Sequence, residues 1–350
     1  MRGAADRQRR AKAAPKMVES QIGTVVPFRD KNILVTGGLG FIGSTLARRL
    51  AASGARVTLI DSLIPEYGGN LFNIDGLESA VQVNISDVRD EHSMAYLVRG
   101  RDILFNLAGQ TSHMDSMQDP FTDLEINCLA QLRVLEVCRK YNPGINIVFA
   151  STRQLYGRAS RLPVDEKHLL APVDVNGVNK MAGEWYHILY HRAHGIKTCA
   201  LRLTNTYGPR MRVKDARQTF VGVWIRLLLE GKELPVWGGG QLRDFCYVDD
   251  AVEALLLCAA DGRASGRIYN IGGAEVLSLK DLAELLVEVN GAGSYRLCEY
   301  PADRKPIDIG DYYTDFSLIR AELGWAPRVP LKEGLARTLA YYRAHLDRYL

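Results

Sequence analysis

The stretch Asn32–Leu50, NILVTGGLGFIGSTLARRL, joins a short apolar run to a helical pattern through a glycine-rich turn. Asn32–Thr36 (NILVT) predicts a buried strand, and Phe41–Ser53 predicts a helix. Gly37, Gly40 and Gly43 have the spacing G-x-x-G-x-x-G; the first two lie between the strand and the helix, and the third lies in the first turn of the helix. A strand, a glycine turn and a helix in this order predict the first unit of a parallel sheet that is covered on both faces.

The glycines of this turn predict a phosphate-binding site. Gly37 permits the tight turn, Gly40 lets backbone N–H groups approach a pyrophosphate, and Gly43 lets the helix pack close to the sheet. Phe41 and Ile42 are the first residues of the predicted helix, and its N-terminus offers unpaired backbone N–H donors to phosphates.

Asp61 ends the next predicted strand, Val57–Ile60, at the distance expected of a ribose-binding acid. Its carboxylate would accept hydrogen bonds from the ribose hydroxyls and would repel a 2′-phosphate. The sequence therefore predicts NAD rather than NADP as the cofactor.

The alternation of strands and helices continues through the first half of the chain. Further strands are predicted at Ile103–Leu107, Ile145–Ala150 and Thr198–Leu203, and helices at Leu124–Lys140 and Lys180–His194. The second half is less regular, with predicted helices at Phe220–Glu230, Asp249–Ala260, Ser278–Val289 and Leu331–His345 and an extended segment at Leu234–Trp237.

Composition excludes several other classes of protein. Of 350 residues, 47% are hydrophobic and 24% charged, and the net charge of +4 comes from a basic segment at the N-terminus, so nucleic acid is not an expected partner. Residues 1–30 are predicted to be a disordered basic extension. No apolar run is long enough to cross a membrane. The six cysteines show no C-x-x-C spacing, which predicts a cytoplasmic protein without a metal site.

A second motif, STRQLYG at Ser151–Gly157, follows the strand INIVFA, and Lys180 lies in the segment NGVNK. Together with the glycine turn, these segments resemble the extended short-chain dehydrogenase/reductase family of nucleotide-sugar epimerases and dehydratases. The resemblance runs from about Lys31 to Leu335. It implies an α/β fold: a Rossmann-type doubly wound parallel sheet in residues 31–208, with a return segment at about 236–273. A smaller, discontinuous α/β substrate domain would be formed mainly by residues 209–350.

The resemblance extends to other cofactor-binding residues. Val83-Asn84-Ile85 stands where relatives have the turn that contacts adenine, with Asn84 in place of an aspartate. Leu107-Ala108-Gly109 matches the loop along the cofactor, and Asn127 matches an asparagine near it. Lys180 matches the lysine that holds the nicotinamide ribose.

The family's catalytic pair is Tyr-x-x-x-Lys, and this chain has Asn176 at the tyrosine position. Thr152 matches the hydroxyl that binds the sugar oxygen being oxidised. An amide neither gains nor loses a proton near neutral pH, so Asn176 cannot replace the tyrosine as a base. Three explanations are open. Another group supplies the base, namely His113, Asp115, Tyr156 or Lys180 itself; a water relays the proton; or the protein binds its ligands without turnover. Among these groups His113 is the principal candidate, because it follows the cofactor loop.

The residues after Thr152 bear on the type of reaction. The 4,6-dehydratases have an Asp-Glu pair there, and decarboxylases of nucleotide-linked glucuronate keep the Glu. Here the positions are Arg153 and Gln154, neither of which is an acid or base at neutral pH. In contrast, NTYGPRM (Asn205–Met211) and FCYVDD (Phe245–Asp250) are similar to segments of the decarboxylases.

The resemblance also implies a binding site for a nucleotide-diphosphate sugar. Asn205 matches an asparagine that contacts the diphosphate, and Arg243 with Arg304 or Lys305 matches the cations that clamp it. A homodimer through a helix pair that includes Lys180–His194 is expected.

The resemblance therefore implies an NAD-dependent nucleotide-sugar C4 epimerase, similar to UDP-glucose 4-epimerase. The alternatives are a UDP-glucuronate decarboxylase-like enzyme and a protein that binds NAD and nucleotide sugar without catalysis.

Overall fold

A computed structural model describes residues 28–67 and 69–350. The predicted N-terminal extension therefore lies outside the described residues, except for residues 28–30, where Phe28 is buried in the core. The strands are β1 (Asn32–Thr36), β2 (Arg56–Asp61), β3 (Val81–Ile85), β4 (Ile103–Asn106), β5 (Asn146–Thr152), β6 (Lys197–Leu203), β7 (Asn205–Tyr207), β8 (Leu234–Trp237), β9 (Leu242–Tyr247), β10 (Arg267–Ile271), β11 (Val276–Ser278) and β12 (Tyr295–Cys298).

The helices that connect these strands are α1 (Phe41–Ala52), α2 (Glu91–Leu97), α3 (His113–Gln118), α4 (Pro120–Leu124), α5 (Ala130–Tyr141), α6 (Val175–His194), α7 (Phe220–Leu229), α8 (Val248–Ala260), α9 (Leu279–Asn290), α10 (Ser317–Leu323) and α11 (Leu331–His345). A π-helical turn at Glu125–Leu129 links α4 to α5.

Seven strands form one sheet in the order β10-β6-β5-β4-β1-β2-β3, and every neighbouring pair is parallel. The order reverses between β1 and β4, which is the arrangement of a doubly wound α/β fold. The predicted Rossmann-type fold is confirmed. Side chains of β1 point alternately into the two layers, with Ile33 and Val35 in one core and Leu34 in the other.

The described residues form two small sheets beyond the main one. One is three-stranded, in the order β11-β9-β7, and the other pairs β12 with β8. Leu46 of α1, Ile225 of α7 and Leu335 of α11 belong to one continuous hydrophobic core, so the C-terminal helices pack on the same core as the glycine-turn helix.

The structure corrects several predicted element boundaries. α6 begins at Val175, not at Lys180, because the side chain of Asp174 accepts a hydrogen bond from Gly177 N and caps the helix there. The helix predicted at Leu124–Lys140 begins at Pro120 and passes through the π-helical turn. Residues 83–85, predicted as a turn, are the end of strand β3.

Candidate active site

The glycine turn is packed tightly against its own backbone. Gly37 has a φ of 65°, in the left-handed region that favours glycine. A Cβ atom on Gly43 would lie 2.2 Å from Gly37 O, so α1 can approach the turn only without a side chain there. A Cβ on Gly40 would meet only Gly37 O, at 3.1 Å.

A cleft of about 870 Å³, including space open to solvent, lies beside this turn where the strand order reverses. The predicted cofactor residues that line it are Gly37, Gly40, Phe41, Ile42, Gly43, Asp61, Leu107, Ala108 and Gly109. Sequence reasoning missed other lining residues, among them Ser62, Tyr67, Ser86, Asp87 and Gln218. The last of these comes from the segment before α7 and carries no motif.

The donors and acceptors around the cleft fit a dinucleotide. Asp61 Oδ2 accepts Leu39 N at 3.0 Å and Oδ1 accepts Leu63 N at 2.9 Å, so each oxygen keeps a lone pair for a ribose hydroxyl. Burial raises the pKa of this carboxyl above its ordinary value. Asn127 Oδ1 is buried without a hydrogen-bond partner among the described residues, and it lies 2.9 Å from the point a Cβ on Gly109 would occupy.

The predicted adenine-contacting residues lie next to the cleft rather than in its lining. Asn84 Oδ1 accepts a hydrogen bond from Ser86 Oγ at 2.6 Å, and the side chain of Ile85 is exposed. Ser86, Asp87 and Val88, which follow them, line the cleft instead.

Lys180 lies in α6 behind the cofactor loop. Its Nζ donates to Ala150 O at 3.3 Å and lies 2.6 Å from the position of a Cβ on Gly109. Burial lowers the pKa of this ammonium group to about 8, although the nearby charge of Asp123 acts in the opposite direction. Burial therefore makes this lysine easier to deprotonate than an exposed one.

Asn176 lies in the first turn of α6, with its amide turned into the protein. Its Nδ2 is within hydrogen-bonding distance of Gln110 O (2.9 Å), Gln110 Oε1 (3.2 Å) and Asp123 Oδ2 (3.0 Å). Asn127 and Asn179 donate to the same carboxylate, at 3.0 Å and 2.8 Å. Three amides thus surround the fully buried Asp123, and Asn176 is one of them.

His113 begins α3 and faces the residue that caps α6. Its Nδ1 lies 2.9 Å from Asp174 Oδ2, although the N–H direction is not that of an aligned hydrogen bond. The Asp174 side chain is fully buried, whereas that of His113 is 39% exposed. Burial acts to raise the pKa of Asp174, but His113 and the donors around it hold the pKa below its ordinary value.

The residues after Thr152 are fixed by contacts within the protein. Thr152 Oγ1 accepts Gln154 N at 3.2 Å, and Gln154 Nε2 donates to Asp174 Oδ2 at 2.8 Å. Arg153 Nη2 donates to Asn205 Oδ1 at 3.0 Å, while Arg153 Nη1 is buried without a partner in the described part of the chain. Neither side chain provides an acid or a base.

The predicted diphosphate-binding residues are brought to the same side of the molecule. Asn205 contacts Arg153, and burial followed by the charge of Arg153 lowers the pKa of Arg243 to about 10. Arg243 is nevertheless held by Leu242 O and Gly310 O. Arg304 lies over the ring of Trp237, at 4.5 Å from its centroid, and Lys305 is exposed.

Two negative findings concern residues 28–67 and 69–350 only. Within them no three His, Cys, Asp or Glu side chains are grouped to hold a metal ion. No helix of that part of the chain is long and apolar enough to span a membrane.

Known proteins match both the sequence and the fold. The sequence model of the NAD dependent epimerase/dehydratase family matches residues 33–272. A dTDP-glucose 4,6-dehydratase of Actinoplanes sp. is 33% identical over 89% of this chain and 98% of its own length. A putative UDP-glucose 4-epimerase of Methanocaldococcus jannaschii is 32% identical over the same shares of the two chains.

Among solved structures, the dTDP-glucose 4,6-dehydratase of Streptomyces venezuelae with NAD bound superposes with a TM-score of 0.82. It is 29% identical in sequence, and the match covers 90% of this chain and 98% of that one. The match of fold, glycine turn and sequence over most of the chain shows that the protein belongs to the NAD-dependent epimerase/dehydratase family of nucleotide-sugar enzymes, with NAD as its cofactor.

Proposed function

We propose that this protein is an NAD-dependent epimerase that inverts C4 of a nucleotide-diphosphate sugar through a transient 4-keto intermediate. The observation that supports this proposal is that Arg153 and Gln154 can act neither as an acid nor as a base. Both occupy the positions of the dehydratase acid–base pair; Arg153 donates a hydrogen bond to Asn205, and Gln154 donates one to Asp174. Elimination of water needs an acid and a base there, whereas epimerisation at C4 does not.

The cofactor would be held by the glycine turn, by Asp61 at the ribose and by Lys180 beside the cofactor loop. When bound, NAD would supply an acceptor for the hydride of C4 and return it to the other face of the sugar. The protein's own part is to orient the sugar and to move the hydroxyl proton. Thr152 would position the C4 oxygen, and Asn205 with Arg243 and Arg304 would bind the diphosphate.

We assign residues 31–208 and the return segment 236–273 to cofactor binding, and the remainder of 209–350 mainly to the substrate. Strand β10, which joins the main sheet beside β6, supports the return segment. The protein would act as a homodimer, since α4 and α6 together expose Phe121, Trp185 and Leu189.

Incubation with NAD and a panel of UDP-, dTDP-, GDP- and CDP-sugars tests the reaction, with products followed by mass spectrometry and proton NMR in D₂O. A product of unchanged mass with altered C4 coupling and no solvent deuterium on carbon is expected, because the same hydride returns. Loss of the mass of water would instead show a dehydratase. Loss of the mass of carbon dioxide would show a decarboxylase, which the decarboxylase-like segments Asn205–Met211 and Phe245–Asp250 favour.

One observation favours a second function, binding without catalysis. The amide of Asn176 does not titrate and is bound within the protein. Tight binding of NAD and of a nucleotide sugar, with no turnover on any member of the panel, would support this alternative and contradict the epimerase.

A further inference from the structure

An epimerase without the family's tyrosine needs another group to take the hydroxyl proton. We infer that His113 transfers this proton and that Asp174 positions it, a pair that the fold assembles beside the position the tyrosine would occupy. The inference rests on the proposed function and adds to it the group that moves the proton.

The structure fastens His113 to the start of α6. Asn176 N donates to Ser116 Oγ at 3.2 Å, and Ser116 Oγ donates to His113 O at 2.7 Å. Asn176 Nδ2 also donates to Gln110 O, at the start of the same segment. Segment 110–116 therefore lies directly against residue 176, and the imidazole is the titratable side chain that this segment presents nearest to the cap of α6.

The contacts of Asp174 suit it to position an imidazole rather than to transfer a proton itself. Its Oδ1 accepts Gly177 N at 2.6 Å, and its Oδ2 accepts Gln154 Nε2 at 2.8 Å and lies 2.9 Å from His113 Nδ1. A fully buried carboxylate with these donors stays ionised and stabilises a protonated imidazole. Because Nδ1 faces Asp174, Nε2 is the ring nitrogen left for substrate.

The imperfect direction of this contact is expected without substrate. Catalytic hydrogen bonds in free enzymes are often poorly aligned and tighten only when substrate binds. The side chain of His113 is 39% exposed, which leaves room for the ring to turn toward Asp174 Oδ2.

Other groups that could take the proton are already engaged. Asp123 is surrounded by amides, and Asp115 is paired with Arg217 at 2.6 Å. Tyr156 donates to Asn270 at 2.7 Å, and burial raises the pKa of its hydroxyl to about 12. Lys180 is buried against Ala150 O beside the cofactor loop, where it would hold the ribose.

The proton balance of the step is simple. The O–H bond at C4 breaks, its proton passes to Nε2 of neutral His113, and the C–H bond at C4 gives its hydride to NAD as the carbonyl forms. In the reverse half-reaction the same Nε2–H returns the proton to the oxygen. The charged imidazole exists only between the two halves, while Asp174 lies beside it.

Three variants test the assignment in the full-length protein with NAD. His113→Gln should lower kcat by about 10²-fold or more, with NAD and substrate binding little changed. Asp174→Asn keeps an N-cap of similar strength and should lower kcat while moving the acidic limb of the pH profile to lower pH. His92→Gln, an exposed histidine of α2, is the matched control and should behave as wild type.

Two further measurements separate a catalytic role from a structural one. Imidazole added to His113→Ala should restore part of the lost turnover. In the NMR spectrum, the ring signals of His113, assigned among the seven histidines from the His113→Gln spectrum, should shift in Asp174→Asn. Of the charged groups of this region, Asp174 contacts the ring, Asp115 is paired with Arg217, and Asp123 is buried among amides.

Different results would contradict the role of His113 and the epimerase function. If wild type turns over and His113→Gln keeps more than about a third of its kcat, the His113 assignment is wrong and the epimerase stands. An acidic limb that disappears in Lys180→Met but not in His113→Gln would assign the proton to the lysine. No turnover by wild type on any sugar would overturn the proposed function, and the catalytic role of His113 with it.

Discussion

At the scale of single residues, the side chain of Asn176 differs most from what the resemblance implies. The family's tyrosine would have to reach substrate, whereas this amide is buried against Gln110 and Asp123. A phenol has a single O–H donor, so it cannot replace the contacts of the amide with both residues, and its larger ring would have to displace buried neighbours. We therefore expect Asn176→Tyr to give no gain in turnover and to lower the free energy of unfolding by about 1–3 kcal/mol.

Urea denaturation and initial rates would check this, with Asn176→Ala as the partner variant that removes the amide without adding bulk. Equal losses of stability in both would attribute the cost to the amide contacts. A rise in turnover of about 10²-fold in Asn176→Tyr would contradict the prediction, because it would show that the tyrosine side chain can turn into the cleft.

Lys180 gives a prediction about pH. Burial lowers its pKa from 10.5 to about 8 in the folded protein, so between these two values the unfolded chain holds a proton that the folded protein has released. The contribution of Lys180 to the free energy of unfolding must therefore rise as the pH increases from about 8 to 10.5. Lys180→Met has no such proton.

The difference in free energy of unfolding, wild type minus Lys180→Met, should increase by about 2–4 kcal/mol over this range. Denaturant titrations of the two NAD-free proteins at matched pH would measure it, and the tyrosines that titrate in both would cancel. Parallel curves would show that Lys180 keeps an ordinary pKa.

At the scale of elements, two glycines of the turn between β1 and α1 have different roles: Gly43 is needed for packing, and Gly40 for the approach of a ligand. A methyl on Gly43 would collide with backbone at Gly37 and Gly38, at 2.2 Å and 2.9 Å, whereas a methyl on Gly40 has one neighbour at 3.1 Å and borders the cleft. Gly43→Ala should lose more than about 3 kcal/mol of stability.

Gly40→Ala should instead fold nearly normally and bind NAD about 10-fold or more weakly. Thermal unfolding together with calorimetric titration of NAD would distinguish the two variants. If both lost stability equally, the role given to Gly40 would be wrong.

The elements that the sequence predicted well are those with local signals. The bounds of β1, β8 and α11 agree with prediction residue for residue, because apolar runs or helical periodicity determine them. Edge strand β3 was missed since its side chains are largely exposed, and β9 was missed because its charged Arg243 and Asp244 are buried only by tertiary contacts.

For the candidate site, too, the sequence predicts only what local patterns determine. The order of the motifs predicted most of the residues that come together around the cleft. In contrast, the contact of His113 with Asp174 joins positions 61 apart in the chain, and no local pattern indicates it. Asp174 itself could have been noticed as a capping residue before α6. The direction of the Asn176 amide depends on Asp123 and Gln110, and therefore on the folded structure.

At the scale of the whole molecule, the outer surface of α4 and α6 predicts self-association. Val178, Trp185 and Leu189 lie on one stripe of α6, and they are 47%, 45% and 53% exposed. Phe121 of α4, 75% exposed, and Leu124 extend this apolar patch, since α4 packs beside α6. Such a patch on two adjacent helices can pair with its own copy about a two-fold axis.

We expect wild type to be a dimer at micromolar concentration and the double variant Trp185→Glu with Leu189→Glu to be a folded monomer, because the pairing would bury four like charges. Sedimentation equilibrium measures the mass, and circular dichroism checks the fold. Leu297→Glu, on the exposed side chain of β12 far along the chain, is the control and should remain dimeric. Because α6 also carries Lys180 and is capped by Asp174, dissociation should lower turnover as well as mass. A monomeric wild type would contradict the prediction, as would a double variant that keeps the dimer mass, since either result would leave this surface without a second copy of the chain as its partner.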